Sequence, residues 1–174
     1  MNPNIKPDLR IVRTMPAQKP GKSKQDYGTP RAFMRALEHR FGAIEMDLAA
    51  TDENAKAPLW ITPETDSLRA LWDKFDVRRA FLNPPFGTIA PWARKCAEAE
   101  RLEILFLIPA SVGSNWWAQH VHGAADLVLF LRPRLSFDGK NPYPKDCALC
   151  VYNRPTENIG TRYECWDWTK EIKP

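Results

Sequence analysis

The sequence predicts an α/β layered fold with a mostly parallel sheet and flanking helices, and three observations carry that expectation. Apolar, strand-like runs alternate along the chain with segments of helical period. The run at residues 104–108 is apolar without interruption, the pattern of a strand buried on both faces of a parallel sheet. Asp47 and Asn83 fall at the carboxyl ends of such runs, where open α/β sheets bind ligands.

Residues 1 to about 25 mix Pro, Lys, Asn and Gln without hydrophobic period, the composition of a disordered basic arm. The first firm element starts at Thr29-Pro30: Thr29 is a good N-cap, and Pro30 suits the first helical position, where its missing N–H costs nothing. Phe33, Leu37 and Phe41 then recur on one helical face, and Gly42 suits the stop. A short strand over 43–48 runs into Asp47-Leu48-Ala49-Ala50, and 51–63 reads as a loop carrying Asn54, Pro58, Trp60 and Pro63. Asp66 is placed to cap a helix over 67–73. The apolar run 80–82 stops at Asn83-Pro84-Pro85-Phe86, and a helix over 91–101 follows with Trp92, Cys96 and Ala99 on one face. Ser114 can cap a helix containing Trp116, Trp117 and Val121. Two more strands, 127–131 and 148–152, flank a polar, proline-rich loop over 132–146.

A chain of 174 residues has room for one ordinary domain with a real core, expected over 26–174. The formal charge of +4 is unevenly placed: Lys6, Arg10, Arg13, Lys19, Lys22 and Lys24 face only Asp8 within residues 1–24, so the body is near neutral. That balance excludes a polybasic protein that holds nucleic acid by bulk charge alone. The apolar runs are too short to span a bilayer, and the basic N-terminal segment lacks the apolar stretch of a secretory signal. Four cysteines, Cys96, Cys147, Cys150 and Cys165, do not make a disulfide framework in a chain of this length. A reduced, cytoplasmic protein without membrane association is the expectation, and a monomer.

Asn83-Pro84-Pro85-Phe86 is the sharpest chemical signal. An aromatic exocyclic amine such as adenine's is a poor nucleophile because its lone pair is delocalised into the ring. Two acceptors placed on its two N–H bonds draw the nitrogen toward tetrahedral geometry and free that pair. The Asn83 side-chain oxygen and the Pro84 carbonyl can be those acceptors. Neither Pro84 nor Pro85 carries a competing N–H, and both fix φ, so the turn is rigid and rich in acceptors. Phe86 can stack on the base, and its π face favours the positive charge that develops as a methyl group arrives. Preorganised acceptors and a fixed approach are recognised sources of rate enhancement, and no nucleophilic cysteine is needed. The same residues also make an ordinary turn after a strand.

At these residues the chain resembles the phage-type, Dam-like DNA N6-adenine methyltransferases. The likeness covers about residues 26–152 and runs in order through Tyr27-Gly28-Thr29-Pro30, Asp47-Leu48-Ala49-Ala50 with Asn54, Asp66-Ser67-Leu68, the Asn83–Phe86 motif with Trp92, Pro109-Ala110 with Trp116-Trp117, and Arg134-Leu135-Ser136-Phe137. The resemblance implies a compact Rossmann-like methyltransferase fold, S-adenosyl-L-methionine as cofactor, and methylation of adenine N6 in DNA. It implies catalytic roles for Asn83, Pro84, Pro85 and Phe86, and cofactor contacts from Thr29, Pro30, Asp47, Ala49, Asp66 and Asn83. Phe86 departs from the commoner Tyr, the segment after Asp47 lacks the usual glycine-rich turn, and only 36 residues separate Asp47 from Asn83.

Asp47 could equally be a turn aspartate and Asp66 a plain N-cap, while Thr29-Pro30 is fully explained as a helix start. In the 132–146 loop, Arg132, Arg134, Lys140 and Lys145 interleave with Phe137 and Tyr143, which suits contacts to DNA phosphates and bases, double-stranded or locally unpaired. Trp116 and Trp117 can line the same opening, with one of them in the core. Cys147 and Cys150 have zinc-like spacing, but three positions apart on a strand they face opposite sides, and His39, His120 and His122 form no ligand pattern, so no metal is expected. The acceptor geometry also serves cytosine N4 or a protein glutamine, and an inactive nucleic-acid-binding module of the same fold is the rival from another class.

Overall fold

The computed structural model describes residues 28–153 and 160–172, so the basic arm over 1–25 lies outside the described residues. Helix α1 (Arg31–Phe41) comes first, then the short strands β1 (Met46–Asp47) and β2 (Leu59–Trp60). Strand β3 (Arg79–Leu82), helix α2 (Ala90–Glu98), strand β4 (Glu103–Pro109) and helix α3 (Asn115–His120) follow. Strands β5 (Leu127–Arg132), β6 (Cys147–Tyr152) and β7 (Arg162–Asp167) close the chain, with 3-10 turns at Pro63–Thr65, Trp72–Lys74 and Trp168–Glu171.

One sheet takes all seven strands in the order β2-β1-β3-β4-β6-β5-β7. The pairs β1·β2, β1·β3, β3·β4 and β5·β7 are parallel. Strand β6 runs antiparallel to both of its neighbours, so the sheet is mixed. An apolar run such as 148–152 is buried on both faces in either direction, and its composition carries no polarity.

Both faces of the sheet are covered, and β4 shows how. Its Ile104, Phe106 and Ile108 pack with Ala93 and Cys96 of α2 and Trp117 of α3. The intervening Leu105 and Leu107 pack with Phe33, Leu37 and Phe41 of α1 on the other side. All five β4 side chains are fully buried, as the uninterrupted run predicts. Cys147 and Cys150 likewise fall into the two different cores.

The cap at α1 differs from the expectation. Pro30 is the N-cap, one position later than predicted, and no side chain caps the helix. Gly42 ends it at φ 91°, a conformation that favours glycine, with its N–H on the Glu38 carbonyl at 2.8 Å.

The helix expected over 67–73 is absent. Asp66 lies at φ 53° and its carbonyl accepts from Arg69 and Ala70, which closes a single turn. The Leu68 and Ala70 carbonyls, which a continuing helix would use, are instead held by Lys95 of α2 at 3.0 and 2.6 Å. Helix α2 is also shorter than predicted, since Ala99 is its extended C-cap.

No apolar run in the sequence foreshadows strand β7, because half of it is exposed and it lacks apolar alternation. It is fixed by long-range contacts: Trp166 is buried beside Phe33 and Phe41, and Arg40 of α1 pairs with Glu164 at 2.7 Å.

Candidate active site

Strands β1, β3 and β4 are parallel, so Asp47, Leu82 and Pro109 end on one edge of the sheet. Asn83 is the first residue beyond β3 and Asp47 the last of β1, which puts the two predicted positions on adjacent strand ends.

Asp47 is 3% exposed, and each carboxylate oxygen accepts a backbone N–H: Oδ1 from Ala49 at 3.2 Å, Oδ2 from Lys56 at 3.1 Å. Burial pushes its carboxyl up to about 6, against the lowering influence of those two hydrogen bonds and of the Lys56 charge. Its visible work is to shape the loop from 48 to 56. Asn54 Oδ1 adds a third tie by accepting from Thr51 N at 2.7 Å.

That loop forms one wall of a cavity of about 210 Å³, through Ala49, Thr51 and Asn54. Thr62 and Asp66 supply a second wall, and Asn83, Pro85 and Trp92 a third. Thr29, Pro30 and Asp47 are not among its lining residues. Thr62 Oγ1 is buried and has no hydrogen-bond partner among the described residues. A solvent-shielded hydroxyl of this kind suits a polar ligand, because an unsatisfied buried polar group is costly. Neither Thr62 nor Lys95 stands out in the sequence, since both owe their place to contacts between distant segments.

Lys95 braces the Asp66 wall from behind. Besides the two carbonyls, its ammonium lies 4.8 Å from the centre of the Trp72 ring, whose Nε1 donates to Ser67 Oγ at 3.1 Å. Desolvation lowers the Lys95 pKa, while Glu98, Asp66 and Asp73 oppose the shift. Lys95→Met keeps the aliphatic stem and removes the charged hydrogen bonds, so a loss of about 2 kcal/mol is expected in urea denaturation.

A second cavity, of about 600 Å³, opens beyond Phe86. Its walls include Phe86, Pro109, Trp116, Tyr143 and Lys145. Phe86, Phe137 and Tyr143 form a ring triangle with centroids 5.4 to 5.9 Å apart and edge-to-face angles. The loop from 132 to 146 is thereby packed directly against the Asn-Pro-Pro-Phe turn. Pro84 is buried, Pro85 exposed and Phe86 half-buried.

The remaining predicted residues separate by position. Trp116 is half-buried at the second cavity, whereas Trp117 is 4% exposed and stacks on Phe130 in the core. Arg134 pairs with Asp146 at 2.7 Å and Arg132 with Asp167 at 3.8 Å. Lys140 is exposed, with its backbone N–H on Asp138 Oδ1. Among the described residues, no group of three or more His, Cys, Asp or Glu side chains could hold a metal ion. No helix there is long and apolar enough to cross a membrane.

The fold is that of an α/β protein with two cavities at the strand ends that meet at one turn, Asn83–Phe86. The chain belongs to the DNA N-6-adenine-methyltransferase (Dam) family, whose model matches residues 17–157. It is 29% identical over 104 residues to a DNA N-6-adenine-methyltransferase of Escherichia phage T1, a match covering 59% of this chain and 43% of that protein. It is 26% identical over 121 residues to a DNA N-6-adenine-methyltransferase of Haemophilus phage HP1 (strain HP1c1), covering 67% of this chain and 68% of that one. No solved structure gives a significant match.

Proposed function

We propose that this protein is a phage- or prophage-type enzyme that methylates adenine N6 in DNA, using S-adenosyl-L-methionine, on a compact Rossmann-like methyltransferase fold. The observation that carries the reading is the position of the Asn83–Phe86 turn between two cavities: Asn83 and Pro85 line the smaller, Phe86 the larger. A two-substrate transfer needs this arrangement, because donor and acceptor must meet at one point with water excluded.

The smaller cavity suits the cofactor. Ala49, Thr51, Asn54, Thr62 and Asp66 would hold it with Asn83, while Asp47 acts behind them by fixing the loop. When bound, S-adenosylmethionine supplies an electrophilic methyl group. The larger cavity suits the target base. Asn83 Oδ1 and the Pro84 carbonyl accept its two amino N–H bonds, and the Phe86 ring limits where the base can lie. Extruding a base from the duplex costs roughly a few kcal/mol. Stacking by Trp116 and Tyr143 and phosphate contacts from Lys140, Lys145, Arg132 and Arg134 would offset that cost. The two arginines would exchange their carboxylate partners for phosphates.

The test is direct. The protein is incubated with S-adenosylmethionine bearing a labelled methyl group and with unmethylated DNA or a protein extract, and the products are hydrolysed and identified by mass spectrometry. Labelled N6-methyladenine is the expected product. Label in N4-methylcytosine or methylglutamine, or none at all, would count against the reading.

A further inference from the structure

The side chain of Thr29 makes no cap for the helix it precedes. Its hydroxyl accepts a hydrogen bond from Asn83 Nδ2 at 3.0 Å, across 54 positions of sequence. Pro30, without any side-chain cap, starts α1. Thr29 is 4% exposed and Asn83 Oδ1 is itself shielded from solvent, so this contact lies in a dry setting where hydrogen bonds orient strongly.

We propose that Thr29 is a positioning residue for the transfer chemistry, holding the Asn83 amide with Oδ1 turned toward the target amine. The inference rests on the methyl-transfer reading above. A primary amide is nearly symmetric in shape but opposite in hydrogen-bonding sense at its two ends. Flipped, Asn83 would present Nδ2 to an amine that offers only N–H bonds, donor against donor. The Thr29 hydroxyl can also donate, and could serve a flipped amide in the absence of substrate. Once Oδ1 must accept from the target, however, Nδ2 needs its own acceptor, and Thr29 provides one. Accepting from Nδ2 also polarises the amide and adds negative character to Oδ1, where positive charge is to be met.

Two variants and one spectroscopic probe test this. Thr29→Val is nearly isosteric but cannot accept, whereas Thr29→Ser can. We expect Thr29→Val to lower kcat about thirtyfold, with the dissociation constant for S-adenosylmethionine within about twofold of native. Thr29→Ser should stay within about threefold of the native rate, a rescue that a purely structural role at the helix start would not require. In ¹⁵N-edited spectra of the native protein the Asn83 side-chain amide should be displaced from the ordinary asparagine range, and Thr29→Val should return it. Should the valine variant fail to fold, Thr29→Ala removes the same acceptor without adding bulk. A kcat within about twofold of native in the variants lacking the hydroxyl, or an unmoved Asn83 amide signal, overturns the proposal. The amide signal is read without DNA or cofactor, so native protein that shows the contact but methylates nothing refutes the methyl-transfer reading alone.

Discussion

Asn83→Ala should lower methyl transfer by about a thousandfold or more while leaving the fold nearly native and weakening cofactor binding far less than transfer. The expectation follows from where the side chain sits. It is the first residue past β3, half-buried, bonded to Thr29, and its Oδ1 is shielded from solvent. Removing one preorganised polar group aimed at developing charge costs about a hundred- to a thousandfold in kcat. Here the same truncation also removes the group that orients the amine for attack, which adds a proximity loss. The fold should tolerate the change because the neighbouring Phe81 and Leu82, both fully buried, anchor the strand end independently. The measurements are single-turnover transfer of labelled methyl to DNA, a thermal melt, and calorimetric binding of the cofactor. Asn83→Asp should retain more activity than the alanine variant, since a carboxylate still accepts and Thr29 can donate to it. Unchanged transfer in the alanine variant would remove the acceptor chemistry from this turn altogether.

The Asn83–Phe86 turn is legible in the sequence for a physical reason: its chemistry lies in four consecutive residues, and two prolines leave little conformational choice. Helix α1 and strand β4 are legible because Phe33, Leu37 and Phe41 declare a period and 104–108 declares two-sided burial. What the sequence does not disclose is what distant segments do to one another. Thr29 has the residue type and position of an N-cap, and only the approach of β3 gives its hydroxyl to Asn83. Asp66 precedes a stretch that could be helical, but Lys95 takes the carbonyls needed to continue it. The direction of β6 is likewise set by its neighbours, and β7 by Trp166 reaching the α1 side of the sheet. Asp47 ends a strand as its neighbours in sequence suggest, a position that suits ligand contact and turn shaping equally. Its two hydrogen bonds to Ala49 and Lys56 give it the turn-shaping work within the protein itself.

That work gives Asp47 a distinctive pH signature, the second large effect expected. Its carboxyl titrates near 6 in the folded protein, against 3.8 for an ordinary aspartate, chiefly because burial disfavours the charge. Above pH 6 the group is ionised in both folded and unfolded chains and stability does not respond to it. As the pH falls from about 6 toward 3.8, the folded chain binds a proton that the unfolded chain does not, so folding is favoured. A carboxyl that holds its proton to a pH about two units higher when folded adds about 3 kcal/mol in all, most of it within that window and the rest below it. Other carboxylates pull the opposite way: Glu164, bonded by Arg162 and Arg40, titrates below its ordinary range and loses its stabilising effect on acidification. The informative quantity is therefore the difference between native protein and Asp47→Asn, measured by urea denaturation from about pH 7.5 to about pH 4. The native protein should gain about 2 kcal/mol on the variant across that range, and a flat difference would contradict the assignment. Affinity should move in the reverse direction. A protonated carboxyl is a weaker acceptor, most of all at its hydroxyl oxygen, so one of the bonds from Ala49 and Lys56 weakens and the wall formed by Ala49, Thr51 and Asn54 loosens while the fold as a whole gains. Calorimetric affinity for S-adenosylmethionine should fall about tenfold between about pH 7 and about pH 5 in native protein and stay level in Asp47→Asn. A buried charge that lowers stability at neutral pH is explained if its ionised form is the one that keeps the cofactor wall in shape.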